Sequence, residues 1–298
     1  MNSPRRLIAL VALLAIAGPI TAAERLPLAT TFKGRERFEW LVKSLRPKIE
    51  ELRALTIGER LGWFGRVFSG TPYKSFTLEI DDHIESPSVN LNGLDCWTFF
   101  ETALAFSRLI ESPPEKWTPD ALLDLIEADR YWGGTCDGTY LSRLHYLEDW
   151  LHDNAKRGLV RDLTRSLGGR GVQNSAIEMT NAWRGYRYMR SNPDLRVGIA
   201  KLESRLRDEP LYCISKDRVP SIESQLQTGD IIGIISRDGS AYGTSHVGLA
   251  YRTEDGVLHF MHASAPSGAG KVILDVRLSD YLAKFAKHYG ILVGRPVK

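Results

Sequence analysis

Three cysteines in 298 residues are too few, and odd in number, for a disulfide framework, so an ordinary core must hold the fold. With 43% hydrophobic residues, 25% charged residues and 14 prolines, the chain lacks both the low hydropathy of disorder and the Pro bias of a fibrous sequence. Its length allows one large domain or two small ones. No run of Lys or Arg marks a phosphate-tracking groove, so nucleic acid is not an expected partner. There is no G-x-S-x-G elbow and no G-x-x-x-x-G-K-[ST] loop, and Gly168–Gly171 follows a helical pattern and reads as a flexible turn. Internal repeats and low-complexity tracts are absent as well.

The one long apolar run lies at the start. Arg5 and Arg6 precede Leu7–Ala17, which is too short to span a bilayer, and Gly18 and Pro19 then break it. Residues 1–23 therefore read as a signal peptide cut after Ala23, with export to the periplasm. No cysteine near the cut permits a lipoprotein anchor, and no later segment is long and apolar enough to span a membrane. Cleavage removes two of the 39 basic side chains and none of the 36 acidic ones, so the formal charge falls from +3 to +1. Most of the apparent basicity belongs to the leader.

The mature chain, 24–298, reads as a single domain of α+β class. Residues 34–69 have helical spacing in two pieces, the second opened by a Thr56/Glu59 capping box and stopped by the turn Gly70–Tyr73. Phe76–Ile80 reads as a strand. In Cys96–Ile110 the positions Phe99, Ala103, Phe106 and Ile110 give an amphipathic helix with Asp95 as N-cap, ended by Pro113 and Pro114. The part from 34 to 114 is thus mainly helical, and about 115–220 reads as a helical insertion. After residue 225 the period changes to two. Ile231–Ile235, His246–Arg252, Val257–Ala263 and Val272–Val276 form an expected antiparallel meander, followed by a helix at Ser279–Lys287 and a last strand at Ile291–Val293.

Cys96 stands at the first turn of its predicted helix, where backbone N–H groups and the macrodipole favour a thiolate. On position alone it reads equally as a nucleophile or as a small buried hydrophobe. A nucleophilic thiol needs a base, and the base needs an orienting group. A regular hairpin turning near Glu254 pairs positions summing to about 508, which sets His246 against His262. His259 falls on the other face by parity, which weakens a zinc site built from the three histidines; no metal or other cofactor is expected. His83, His145, His152 and His288 show no metal spacing, and Glu101 reads as structural.

These elements resemble the papain-like cysteine peptidases, and more closely the NlpC-type peptidoglycan amidases. The carriers are Gly70–Thr71–Pro72–Tyr73, Asp95–Cys96–Trp97–Thr98–Phe99 and Ser245–His246–Val247–Gly248, with Gly229–Asp230 introducing the sheet. The wide gap between Cys96 and His246, and the segment Ser142–Arg143–Leu144–His145–Tyr146 inside it, resemble the N-acetylmuramoyl-L-alanine amidase-like branch. The resemblance implies a papain-like core, with the nucleophile helix packed on an antiparallel sheet. It implies Cys96 as nucleophile, His246 as base, His262 as orienting group and Tyr73 near the oxyanion. Arg143, Tyr146 and Ser245 become substrate candidates, although Arg143 reads as well as the anchor of a loop carbonyl.

The implied substrate is a peptidoglycan fragment with a 1,6-anhydro-muramoyl end, cut between the lactyl group and L-alanine. Cleavage of the γ-D-glutamyl to diamino acid bond, a non-catalytic cell-wall binding module and a zinc amidase are the alternatives. Cys136 and Cys213 are left either as a bridge or as two further thiols.

Overall fold

The computed structural model describes residues 25–239 and 241–297, so the predicted leader lies outside the described residues. After a single helical turn at Leu28–Thr31, the first long helix, α1 (Arg35–Leu45), buries Phe38, Leu41 and Leu45 at helical spacing. A short helix, α2 (Ile49–Ala54), follows, so the expected two pieces are three. In α3 (Ile57–Val67) the capping box is present: the Thr56 side chain accepts from the Glu59 amide, and Glu59 accepts from the Thr56 amide.

The helix headed by Cys96 is α4 (Cys96–Leu109). Its Asp95 cap is as expected, closed by Thr98 in a second capping box. The single apolar stripe is not: every residue from Thr98 to Ser107 is buried. The cause is packing on several sides, against α3, against α5 (Pro119–Arg130) and against the sheet. Pro119 at the first position and the Thr118 cap explain where α5 begins.

The later helices are α6 (Leu147–Lys156), α7 (Leu195–Asp208) and α8 (Leu278–Ala283). Strands run as β1 (Val160–Asp162), β2 (Arg170–Gln173), β3 (Pro210–Ser215), β4 (Ile231–Asp238), β5 (Ala241–Arg252), β6 (Leu258–Ala263), β7 (Val272–Arg277) and β8 (His288–Pro296). They form one antiparallel sheet in the order β2-β3-β8-β4-β5-β6-β7, with β1 also pairing on β8. The meander β4-β5-β6-β7 is the expected one. Two readings are corrected. The 115–220 stretch is not purely helical, since β1, β2 and β3 come from it and extend the sheet. Phe76–Ile80 is not a strand but a run of turns that crosses the face of the insertion.

The sheet divides the core in two. Ile231, Ile235, Val247, Leu249, Met261 and Ala263 pack toward α3 and α4, whereas Ile232, Ile234, Ala250, Phe260 and Ile291 pack toward α8. Alternation along each strand does this. The turn into β4 needs its glycine: Gly229 has φ of 86°, and a Cβ there would lie 2.1 Å from the Gly58 carbonyl oxygen.

Candidate active site

The sequence places Cys96 at the N-terminus of α4 and His246 in β5, and the fold brings both to one cavity of about 360 Å³. Tyr73, Arg143, Tyr146 and Ser245 line the same cavity, so it gathers every predicted site residue except His262. His262 stands one ring behind His246, with His262 Nδ1 2.7 Å from His246 Nε2. The actual register sums to 510, as in Leu249 opposite Met261 and Ala250 opposite Phe260. That is two away from the expected 508, so parity is kept and the rings meet as diagonal neighbours on one face.

A bulge at Ser245 immediately precedes His246. Ile234 pairs with His246 and Ile235 with Thr244, so Ser245 is the extra residue. Its hydroxyl lies 2.6 Å from Ser236 Oγ. The next glycine, Gly248, has a packing reason to lack a side chain: a Cβ would sit 2.5 Å from the Met261 carbonyl oxygen and 2.7 Å from the Phe260 ring. Phe260 in turn stacks on His262, with centroids 4.7 Å apart and planes at 18°. Tyr281 of α8 closes on the same ring at 5.1 Å.

Behind His262 lies a carboxylate that the sequence reading missed. His262 Nε2 is 3.3 Å from Asp275 Oδ2, and Lys284 Nζ donates to Asp275 Oδ1 at 2.8 Å. The signal was present. A β6–β7 turn centred on Ser267–Gly270 pairs positions summing to about 537, which sets Asp275 opposite His262. The observed register sums to 535, as in His262 opposite Ile273, and leaves the two as diagonal neighbours.

The electrostatics correct one expectation. Helix position alone favours a thiolate, but burial pushes the Cys96 thiol up to about 12 and the Asp95 charge adds to it, while the Val247 amide and the first amides of α4 pull the other way. Burial and the neighbouring His262 and His288 push His246 down to about 3. At rest both groups are neutral. Burial also lowers His262, against the pull of Asp275. Asp275 is itself disfavoured as an anion by burial, yet Lys284, the Val276 amide and His262 outweigh this and keep it below the ordinary carboxylate range. Tyr73 is pushed up to about 12 by burial and by Cys96 and Asp95, so it is a phenol and a donor. The Cys96–His246 contact of such a pair often tightens only with substrate.

On the insertion side, Arg143 is engaged already. Its Nε and Nη2 donate to Glu85 at 3.1 and 2.5 Å, Nη1 to Glu79 at 3.4 Å and Nη2 to the Leu78 carbonyl at 3.2 Å. It is 5% exposed and lies over the Tyr140 ring. The expected packed helix around it is extended chain from Arg143 to Tyr146, and α6 starts only at Leu147. Arg143 ties the 78–85 loop to the insertion. Tyr146 donates to Glu203 at 2.7 Å while its ring lines the cavity. The cavity also holds His145, Tyr140, Tyr186 and Glu178, none of which the sequence reading selected. Burial and Arg143 push His145 down to about 3.

All three cysteines are free, and Cys136 Sγ contacts the Glu85 carbonyl at 3.5 Å, so Cys136 and Cys213 form no bridge. Among the described residues no helix is long and apolar enough to cross a membrane.

Solved structures share this architecture. An N-acetylmuramoyl-L-alanine amidase from Bacteroides uniformis ATCC 8492 superposes with a TM-score of 0.71 at 29% identity, covering 81% of this chain and 99% of that one. A Bacteroides fragilis protein described as a candidate xylanase is 32% identical, with a TM-score of 0.68 over 78% of this chain and 99% of that one. A Legionella pneumophila protein shares the fold at 21% identity, with a TM-score of 0.62 over 87% of this chain and 95% of that one. No curated protein matches the sequence. Residues 63–291, which hold the head of α4, the whole insertion and the β4–β7 meander, match the AmiA-like family, and the chain belongs to this N-acetylmuramoyl-L-alanine amidase-like family.

Proposed function

We propose that the protein is a cysteine amidase with a papain-like core of the NlpC type. It cleaves the amide between the N-acetylmuramoyl lactyl group and L-alanine in a peptidoglycan fragment with a 1,6-anhydro-muramoyl end. The observation that carries the reading is the cavity shared by Cys96, at the head of a buried helix, and His246, backed by His262. Family membership and the named activity of the Bacteroides uniformis neighbour support it. The aromatic walls Tyr186 and Phe76 suit a sugar face.

The neutral resting pair implies general-base activation on substrate arrival. His246 takes the thiol proton as Sγ bonds to the lactyl carbonyl carbon. The carbonyl oxygen becomes an oxyanion, which the Cys96 backbone N–H and the Tyr73 hydroxyl stabilise. Collapse breaks the C–N bond, and His246 returns its proton to the departing alanine nitrogen. Water, deprotonated by His246, then attacks the thioester, and the thiolate leaves and recovers the proton. Arg143 holds the cavity wall, Tyr146 offers its ring to the sugar, and Ser245 flanks the base. The mature chain acts as one catalytic domain, exported and freed of residues 1–23.

Mass spectrometry of a defined anhydro-muropeptide incubated with the mature enzyme and with Cys96→Ala tests this. Free anhydro-disaccharide plus intact stem peptide is expected from the wild type alone. A sugar still carrying the L-alanyl-D-glutamyl dipeptide would move the cut to the γ-D-glutamyl bond, and full activity in Cys96→Ala would remove the thiol mechanism.

A further inference from the structure

The histidine pair leaves a question that its own two rings do not answer. A neutral imidazole has one N–H and one lone pair, and a base must present the lone pair to its nucleophile. His246 Nε2 and His262 Nδ1 share one proton at 2.7 Å, and either could donate. The choice is made one group further out. Asp275 is an acceptor only, so the proton between it and His262 sits on Nε2. His262 Nδ1 is then bare and accepts. His246 Nε2 must donate to it, which leaves His246 Nδ1 with the lone pair.

We propose that Asp275 is a positioning residue for catalysis: through His262 it fixes the tautomer of His246 that can take the thiol proton, and Lys284 holds Asp275 in place. This rests on the proposed Cys96–His246 mechanism and deepens it. Four contacts support the arrangement. Phe260 covers one face of His262, Tyr281 packs against the ring, and His246 stands perpendicular to it at 90°. Lys284 ties Asp275 of β7 to the end of α8, so strand and helix close on His262 together. The groups facing the pair are His288 toward His246, and Asp275, Lys284 and Tyr281 toward His262. Asp275 is the only anion among them.

A carboxylate one hydrogen bond behind an orienting group should affect rate more than affinity. Removing such partners from metal-bound histidines typically lowers activity on the order of 10- to 100-fold, and a similar loss in kcat with little change in KM is expected for Asp275→Asn. Asp275→Glu should recover part of that loss. The decisive readout needs no turnover. In protein labelled with nitrogen-15 at histidine, His262 should show a protonated Nε2 and a bare Nδ1, and Asp275→Ala should abolish that preference while thermal unfolding reports an intact fold. An unchanged His262 tautomer in Asp275→Ala, or wild-type kcat in Asp275→Asn, would overturn the proposal. Full activity in Cys96→Ala would instead overturn the mechanism beneath it, and the nitrogen spectra separate the two failures.

Discussion

If the resting thiol and imidazole are both neutral, Cys96 should be a slow nucleophile until substrate arrives. With the thiol pushed up to about 12, about one Cys96 in 10⁵ is thiolate at pH 7, against about 3 in 100 for an ordinary cysteine. The more basic thiolate is intrinsically more reactive, and a Brønsted slope of about 0.4–0.5 over roughly 3.5 pKa units offsets part of that deficit. A net disadvantage on the order of 100-fold remains. Iodoacetamide labelling of the free enzyme, followed by peptide mass spectrometry at Cys96, measures it directly. The rate should rise about tenfold per pH unit from about pH 6 to pH 9, with no plateau. His246, pushed down to about 3, supplies no cation that would stabilise a thiolate over this range. Fast labelling that is flat from about pH 5 to pH 8 would mean a standing thiolate–imidazolium pair and would rule out a neutral resting Cys96. Cys136 and Cys213, both buried where Cys96 is half-buried, should label later still because the reagent cannot reach them.

Arg143→Ala should act first on stability, since it strands Glu85 and Glu79 in a buried site; about 3–5 kcal/mol is expected from urea unfolding, and a fully stable variant with only a raised KM would return Arg143 to the substrate. Acid should destabilise the fold through its buried histidines. His145 and His246 are pushed down to about 3 and His288 to about 4 by burial, with the nearby cations and His262 adding to it, so the unfolded chain binds protons first as pH falls. Stability should hold above about pH 6.5 and decline from there toward pH 3, more shallowly in His145→Gln; a Tm that does not move between pH 7 and pH 4.5 would contradict this.

The parts of the fold legible in the sequence are those set by local rules. The Thr56 and Asp95 caps depend on side chains three residues apart, and both stand where the sequence puts them. The period-two meander, with its parity, put His246 and His262 on one face although the register was two residues off. Readings failed where distant packing decides. The spacing of 115–220 does not reveal that Leu211–Ile214 leaves the helical stretch to join the sheet beside β8. Nor does local patterning show that Phe76–Ile80 forms turns rather than a strand, with the Leu78 carbonyl and the Glu85 carboxylate closing on Arg143. The charge state of Cys96 was misjudged for the same reason. A helix N-terminus is a local feature, but the burial that outweighs it comes from the sheet and the insertion.

A Cys96 nucleophile carries the muramoyl group during turnover. The most direct measurement is acid-quenched mass spectrometry of the mature enzyme in the presence of a defined anhydro-muropeptide, with products read from the same samples. The expected result is a thioester at Cys96 whose added mass is the anhydro-disaccharide with its lactyl acyl group, and release of the intact stem peptide. An adduct carrying the L-alanyl-γ-D-glutamyl portion, or continued release of stem peptide by Cys96→Ala, would contradict it.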